Sequence, residues 1–95
     1  MSPVAEASVT IVNVRGLHAR AASKICEEAA KFSAKMTVSK DGTSVGARSL
    51  MALLMLGAGK GSSVQLKAEG DDADAALNAL RTLIEAGFYE DDPAS

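Results

Sequence analysis

The sequence is poor in several residue types that would otherwise point to a function. It has one histidine, one cysteine and no tryptophan, and aromatic residues make up only 3% of its 95 residues. One cysteine cannot form a disulfide within the chain, and one histidine with one cysteine falls short of the three or four ligands of a usual zinc site. We therefore expect no metal, no bound cofactor and a reducing, cytoplasmic setting.

The sequence also lacks a strong charge of one sign and any long hydrophobic run. Its formal net charge is -2, and aromatic residues make up only 3% of the chain. It therefore has neither the basic surface nor the stacking aromatic residues of a small nucleic-acid-binding domain. No apolar run approaches the roughly 20 residues of a membrane span, and the N-terminus lacks the features of a secretory signal. We expect no nucleic-acid partner and no insertion into a membrane.

Hydrophobic patterning indicates one small domain. Hydrophobic residues make up 47% of the chain, which suffices for one compact core. We assign the domain to residues 1–95 and its core to about residues 8–88, and we expect loose ends at residues 1–7 and 90–95. Alternating apolar residues predict four strands, at residues 8–14, 34–40, 43–46 and 64–69. Apolar residues spaced by three or four predict three helices, at residues 19–32, 50–56 and 73–86.

The order of these elements implies an open sandwich in which helices cover one face of a sheet and the other face meets solvent. Asp41 and Gly42 form a strong hairpin signal between the second and third strands. Asp71 and Asp72 are expected to cap the last helix at its start, and Gly87 is expected to cap it at its end.

The predicted second helix, residues 50–56, is apolar on almost every side. So short a helix on a small domain cannot bury all its leucines and methionines, and we expect part of it to stay exposed as a partner-binding surface. The alternative is a helix sunk in the core. In the first helix, Cys26 belongs to the apolar stripe, so we interpret it as a small core residue rather than a reactive thiol.

The glycine-rich stretch at residues 56–62 superficially resembles a phosphate-binding P-loop. That motif requires glycine at the position of Leu54 and serine or threonine at that of Gly61, and it follows a strand rather than a helix. We therefore interpret residues 56–62 as a flexible connection.

The only histidine, His18, stands where the pattern of the first helix begins. Imidazole can act as a nucleophile, as an acid or base, or as a metal ligand. The start of a helix presents unpaired backbone N–H groups that favour a phosphate or another anion, and Arg20 adds a donor suited to phosphate oxygens. We interpret the site as one that holds a phosphoryl group on nitrogen, with a histidine that only caps the helix as the alternative.

Three stretches, in order along the chain, resemble one known family. The sequence Gly-Leu-His-Ala-Arg at residues 16–20 resembles the active-site motif of the histidine-containing phosphocarrier protein, HPr, of the bacterial phosphotransferase system. Residues 47–53 are similar to the regulatory-serine segment of that family, and residues 61–70 to its last strand. The resemblance covers about residues 8–88.

The resemblance implies an α+β fold, an open-faced β-sandwich with three helices on one face of a four-stranded antiparallel sheet, in the strand order first, fourth, second, third. It implies that His18 accepts a phosphoryl group on Nδ1 from phosphorylated enzyme I, which is charged by phosphoenolpyruvate, and passes it to an EIIA-type acceptor. Arg20 matches the active-site arginine of the family, and Ser49 matches the serine that HPr kinase/phosphorylase modifies in some members. We expect a monomer with partner-binding residues Leu17, Ala21, Leu50, Met51 and Leu54.

The sequence departs from the family pattern in two places. The residue after the active-site arginine is usually proline but here is Ala21, which keeps a backbone N–H and leaves a less rigid turn; we expect transfer to survive. Glu27 and Ala30 stand where well-known sugar-system members carry lysine, and Leu54 and Met55 where those members tend to be polar. A weaker basic interface favours a nitrogen-type, NPr-like branch.

The main alternative function is that of a regulatory docking protein with the same fold. In that case the exposed apolar surface binds a target and His18 is incidental. The presence of both His18 and Arg20 argues for a phosphocarrier, a transfer intermediate without a small-molecule substrate of its own.

Overall fold

We describe the fold from a computed structural model, in which residues 3–90 are described. Four strands and three helices follow one another in the predicted order, and a 3-10 turn follows the last helix. In chain order they are β1 Val4–Thr10, α1 Ala19–Ala29, β2 Lys35–Lys40, β3 Thr43–Gly46, α2 Leu50–Met55, β4 Ser63–Glu69, α3 Ala73–Glu85 and the turn Gly87–Tyr89. At 13 residues, α3 is the longest helix of residues 3–90, and no helix in that range could cross a membrane.

The strands form one sheet in the order β1-β4-β2-β3, and every neighbouring pair is antiparallel. This confirms the open-faced sandwich and its strand order. The hairpin turn between β2 and β3 also lies where the sequence predicts it, since Asp41 and Gly42 both have positive φ angles, of 50° and 84°. Such a pair of angles suits the twist of a two-residue hairpin.

The core lies between the sheet and the helices. Along β4, Val64, Leu66 and Ala68 are buried and alternate with exposed residues, as the period of two predicts. The predicted apolar stripe of α3 is buried at all six positions, which are Ala73, Ala76, Leu77, Leu80, Leu83 and Ile84. The two patterns were therefore sufficient to identify the faces that pack together.

The prediction for the first strand was wrong at both ends. β1 begins at Val4, so residues 4–7 are not a loose end, and it stops at Thr10 rather than at residue 14. The reason is tertiary, because the seven residues of β4 pair with all seven of β1, from Val4 with Glu69 to Thr10 with Ser63. Alanines at positions 5 and 7 give a weak hydrophobic alternation, which hid the strand. Residues 1 and 2 lie outside the described residues.

α1 is shorter than predicted and ends at Ala29. The guanidinium of Arg48 donates to the carbonyl of Ala29 at 3.1 Å and also to that of Phe32, so a cation binds carbonyl groups at the end of the helix and just after it. Cys26 packs half-buried against the core, and burial raises the pKa of its thiol. Both observations agree with a packing role for this cysteine.

Asp72 lies at the predicted start of α3, but its side chain makes no capping bond to that helix. Its two carboxylate oxygens instead accept the backbone N–H groups of Ser33 and Ala34, each at 2.8 Å. These bonds, with that from Ser33 foremost, lower the pKa of the Asp72 carboxyl. The carboxylate therefore joins the loop after α1 to the start of α3 and does not cap its own helix.

Candidate functional site

A tight turn places His18 at the start of α1. Gly16 has φ +65° and lies so close to the loop after α2 that a Cβ atom would meet the carbonyl oxygen of Ala58 at 2.6 Å. The next backbone N–H, that of Leu17, donates to the same oxygen at 2.8 Å. Glycine is therefore required at position 16 for both its backbone angle and its lack of a side chain.

The loop at residues 56–62 is more than the flexible connection that we expected. Besides its bond to Leu17, its Gly61 N–H donates to the carbonyl of Ile11 at 2.8 Å, and the Ile11 N–H donates to the carbonyl of Ser62 at 2.9 Å. Ala58 is buried. Backbone pairing with the segment before His18 fixes this loop, and the sequence pattern gave no sign of that pairing.

His18 occupies the N-cap position of α1, with φ -85° and ψ -179°. Its Nδ1 accepts the backbone N–H of Arg20 at 3.3 Å, and its carbonyl accepts that of Ala22 at 2.8 Å. An Nδ1 that accepts a hydrogen bond is unprotonated and has its lone pair directed at the start of the helix. His18 therefore caps the helix through the same ring nitrogen that is free of a proton.

The other ring nitrogen of His18 contacts a residue that sequence reasoning missed. Nε2 forms a hydrogen bond with the Glu90 carboxylate, and Asn13 Nδ2 donates to both oxygens of the same carboxylate at 3.3 Å. The exposed fractions of the His18 and Glu90 side chains are 22% and 13%. The expected loose end therefore does not begin at residue 90, and residues 91–95 lie outside the described residues.

The electrostatics of this contact are consistent with a charged acceptor. The hydrogen bond from His18 lowers the pKa of the Glu90 carboxyl, burial opposes this effect, and the bond from Asn13 adds to it. A carboxylate that accepts from Nε2 requires the proton to be on that nitrogen. The arrangement therefore selects the tautomer in which Nδ1 is the nucleophilic atom.

The predicted site residues fall into exposed and buried groups. Arg20 is exposed at the second residue of α1, whereas Leu17 and Ala21 are only 7% and 0% exposed. The expectation that these two side chains contact a partner is corrected, because they pack in the core beneath the site. Ala21 is the third residue of α1, so its backbone N–H is among those that a helix start leaves unpaired.

The other predicted partner-binding residues lie on α2. Leu53 is fully buried, whereas Leu50 and Met51 are 38% and 67% exposed and Met55 is 83% exposed. Leu54 is half-buried. We call Leu50, Met51, Leu54 and Met55 the α2 surface. The helix is thus neither sunk in the core nor fully exposed.

Helix α2 packs against α1, the helix that begins directly after His18. The loop that follows α2 accepts a backbone hydrogen bond from Leu17, which directly precedes His18. Ser49, the N-cap of α2, is exposed, and its side chain makes no capping hydrogen bond. Within residues 3–90, no group of three histidine, cysteine, aspartate or glutamate residues could hold a metal ion.

Fold and site together define a class, that of small open-faced α+β proteins that present one histidine nitrogen at a helix start. The family model for the PTS HPr component phosphorylation site matches residues 5–86. Phosphocarrier protein NPr of Shewanella violacea is 45% identical over 85 residues, which are 90% of this chain and 93% of that protein. Phosphocarrier protein HPr of Cupriavidus necator is 43% identical over 81 residues, which are 85% and 91% of the two chains.

A solved structure of the same family has the same fold as this chain. The crystal structure of HPr-C-His from Thermoanaerobacter tengcongensis matches with a TM-score of 0.88 and 43% identity, and the match covers 93% of this chain and 99% of that one. The chain belongs to the HPr family of phosphocarrier proteins of the bacterial phosphotransferase system.

Proposed function

We propose that this protein takes a phosphoryl group on Nδ1 of His18 and gives it up to a second protein. The main support is that the two ring nitrogens are engaged in opposite ways. Nε2 contacts the Glu90 carboxylate, whereas Nδ1 accepts from a backbone N–H of α1. Nδ1 is therefore the unprotonated nitrogen, and its lone pair can attack phosphorus once it gives up the 3.3 Å hydrogen bond from Arg20. The N–H group released in this way, at the start of the helix, is a donor for a phosphoryl oxygen.

The proposed donor is phosphorylated enzyme I. The Nδ1 lone pair forms a bond to phosphorus while the bond between phosphorus and the donor breaks, and its electron pair leaves with the donor. Catalysis of phosphoryl transfer consists mostly of positioning and charge stabilisation. A small carrier can therefore contribute His18, helix N–H groups and the exposed Arg20 guanidinium, while its partner contributes the rest.

The proposed acceptor is an EIIA-type protein of the nitrogen-type branch. Its docking site would be the α2 surface, which is apolar. The loop that follows α2 bonds to the segment before His18 through the carbonyl of Ala58. Glu27 and Ala30 are both exposed, the first on α1 and the second just after it. The surface of α1 therefore lacks the two lysines that would attract an acidic sugar-system acceptor. Relatives named NPr and HPr are about equally similar to this chain, at 45% and 43% identity, so this choice rests on the charge of the interface.

The carrier role is tested by incubating the protein with phosphoenolpyruvate and enzyme I of the same source, and mapping acid-labile phosphate by mass spectrometry. We expect phosphate on His18 and none on His18→Ala or His18→Asn. The asparagine variant is the matched control, because asparagine retains an N-cap acceptor but no phosphorylatable nitrogen. If wild-type protein takes no phosphate from an active enzyme I, and His18→Asn binds a target equally well, the docking role replaces the carrier role.

The choice of acceptor is tested with a charge variant. We expect wild-type protein to transfer phosphate faster to a nitrogen-type than to a sugar-type EIIA protein, and the double variant Glu27→Lys/Ala30→Lys to gain rate with the sugar-type protein alone. The gain should shrink as salt is added, because it arises from charge attraction between exposed groups. Equal rates with both acceptors before and after the change would contradict the proposed branch.

We also propose that phosphorylation of Ser49 by an HPr kinase/phosphorylase lowers transfer. A phosphate there would add about two negative charges beside the α2 surface, and the Ser49 hydroxyl is exposed and makes no capping bond. Ser49→Asp should slow phosphate delivery, whereas Ser8→Asp, on an exposed position of β1, should not. Equal rates for the two variants would remove the support for regulation through charge at Ser49.

A further inference from the structure

Glu90 reaches His18 because the chain reverses after α3. Phe88 and Tyr89 both have left-handed backbone angles, with φ 59° and 57°, which cost about 1–2 kcal/mol for each residue other than glycine. Phe88 is fully buried, and the Lys24 ammonium on α1 donates to its carbonyl. An unfavourable turn that is fixed by a buried aromatic ring and a charged donor puts Glu90 in a defined place.

Asn13 fixes the carboxylate from the other side. Its Nδ2 donates to Glu90 and to the carbonyl of Gly16, the latter at 2.9 Å. Asn13 is 7% exposed, and its buried Oδ1 has no hydrogen-bond partner, which costs about 1–3 kcal/mol. Reversing the amide would turn Oδ1 toward three acceptor oxygens. The observed orientation is therefore the one that positions Glu90 despite the unpaired oxygen.

We propose that Glu90 is a positioning residue for His18, whose carboxylate accepts the Nε2–H throughout transfer and offsets the positive charge that the ring gains with the phosphoryl group. This inference rests on the proposed function. When Nδ1 bonds to phosphorus, the ring keeps its Nε2 proton and becomes a cation. A nearby carboxylate stabilises that cation, as a buried aspartate does for the catalytic histidine of serine proteases.

The same contact helps the onward step. When the bond between Nδ1 and phosphorus breaks, its electron pair returns to Nδ1. Because Nε2 has kept its proton, the ring leaves as neutral imidazole. A ring that had lost this proton would have to leave as an imidazolate anion, which is a much poorer leaving group. Glu90 therefore favours transfer in both directions by holding one proton in place.

The test compares Glu90→Gln with Glu85→Gln. The control removes the same charge from an exposed residue at the end of α3. We expect onward transfer from Glu90→Gln to fall roughly 10- to 100-fold, the range for loss of a charge-assisted hydrogen bond, and that from Glu85→Gln to stay unchanged. Thermal denaturation of both variants shows whether either change disturbs the fold.

A spectroscopic measurement separates this role from a merely structural one. The 15N NMR shifts of the unphosphorylated imidazole should report a proton on Nε2 in wild-type protein and a mixture of tautomers in Glu90→Leu. Unchanged tautomers together with unchanged transfer rates would overturn the role of Glu90. A wild-type protein that carries no phosphate would instead overturn the proposed function, and the NMR comparison would still decide whether Glu90 sets the tautomer.

Discussion

Replacing Gly16 by alanine tests how closely the turn before α1 and the loop after α2 depend on each other. The new Cβ would lie 2.6 Å from the carbonyl oxygen of Ala58 and 2.7 Å from the Cα of Gly59. Both are backbone atoms, so neither can rotate out of the way as a side chain could. One of the two loops must shift, and His18 is only two residues from the change.

The expected loss of stability has two parts. A left-handed backbone angle costs about 1–2 kcal/mol for a residue other than glycine, and forcing an extra methyl group into a packed site costs about 1–3 kcal/mol. The change should therefore remove about 2–5 kcal/mol of a total that is about 5–15 kcal/mol for folded domains. In a domain of this size each kcal/mol lowers the Tm by roughly 4–8 °C.

Gly57→Ala is the matched control. Gly57 also has φ +65°, but apart from its own residue and its two chain neighbours no atom lies within 4 Å of the position of its Cβ. This variant should lose only the backbone part, about 1–2 kcal/mol, and should still accept phosphate normally. Chemical denaturation of both variants measures the difference, and phosphate uptake measures the displacement of His18. Equal losses of stability in the two variants would refute the assigned close contact between Gly16 and the second loop.

Two further changes have outcomes that follow from the structure. Asp72→Asn should lower stability at neutral pH, because backbone hydrogen bonds lower the pKa of the Asp72 carboxyl in the folded protein. Such a carboxylate stabilises the fold fully at pH values above its pKa in the unfolded chain. This stabilisation is lost as the pH falls through its pKa in the folded protein. Denaturation at a series of pH values should show the variant and wild-type curves converge in acid, while Asp71→Asn stays close to wild type throughout. Ala21→Pro should remain folded and accept phosphate at a rate comparable to wild type, because proline is tolerated in the first turn of a helix. Uptake by the proline variant alone would mean that the natural sequence is not an efficient carrier.

The sequence predicted those parts of the fold that have a strong local period. Alternation identified the buried face of β4, and spacing by three and four identified all six buried positions of α3. The strand order came from the family resemblance rather than from any pattern, since pairing between β1 and β4 joins residues far apart in the chain. β1 was misplaced for the same reason, because its pairing rather than its own hydrophobicity defines its ends.

The candidate site was predictable only where its residues are adjacent in sequence. His18, Arg20 and the glycine turn are within five positions, so motif and helix start both pointed to them. Leu17 and Ala21 belong to the same motif, but their burial depends on the packing of α1, which a motif does not describe. Asp72 was assigned to its own helix, although its carboxylate binds two N–H groups of a distant loop.

Glu90 is the most instructive residue that was missed, because it lies 72 residues from His18 in sequence. It begins an acidic segment, and acidic ends are usually solvated. The turn that returns it to the site uses left-handed angles at Phe88 and Tyr89, which no propensity predicts for aromatic residues. One signal was available. Phe88 follows Gly87, the predicted cap of the last helix, and burying a large apolar side chain there stabilises the fold. Once Phe88 is anchored in the core, a residue two positions later cannot be far from it, so an acidic side chain there belongs to the folded domain rather than to a tail.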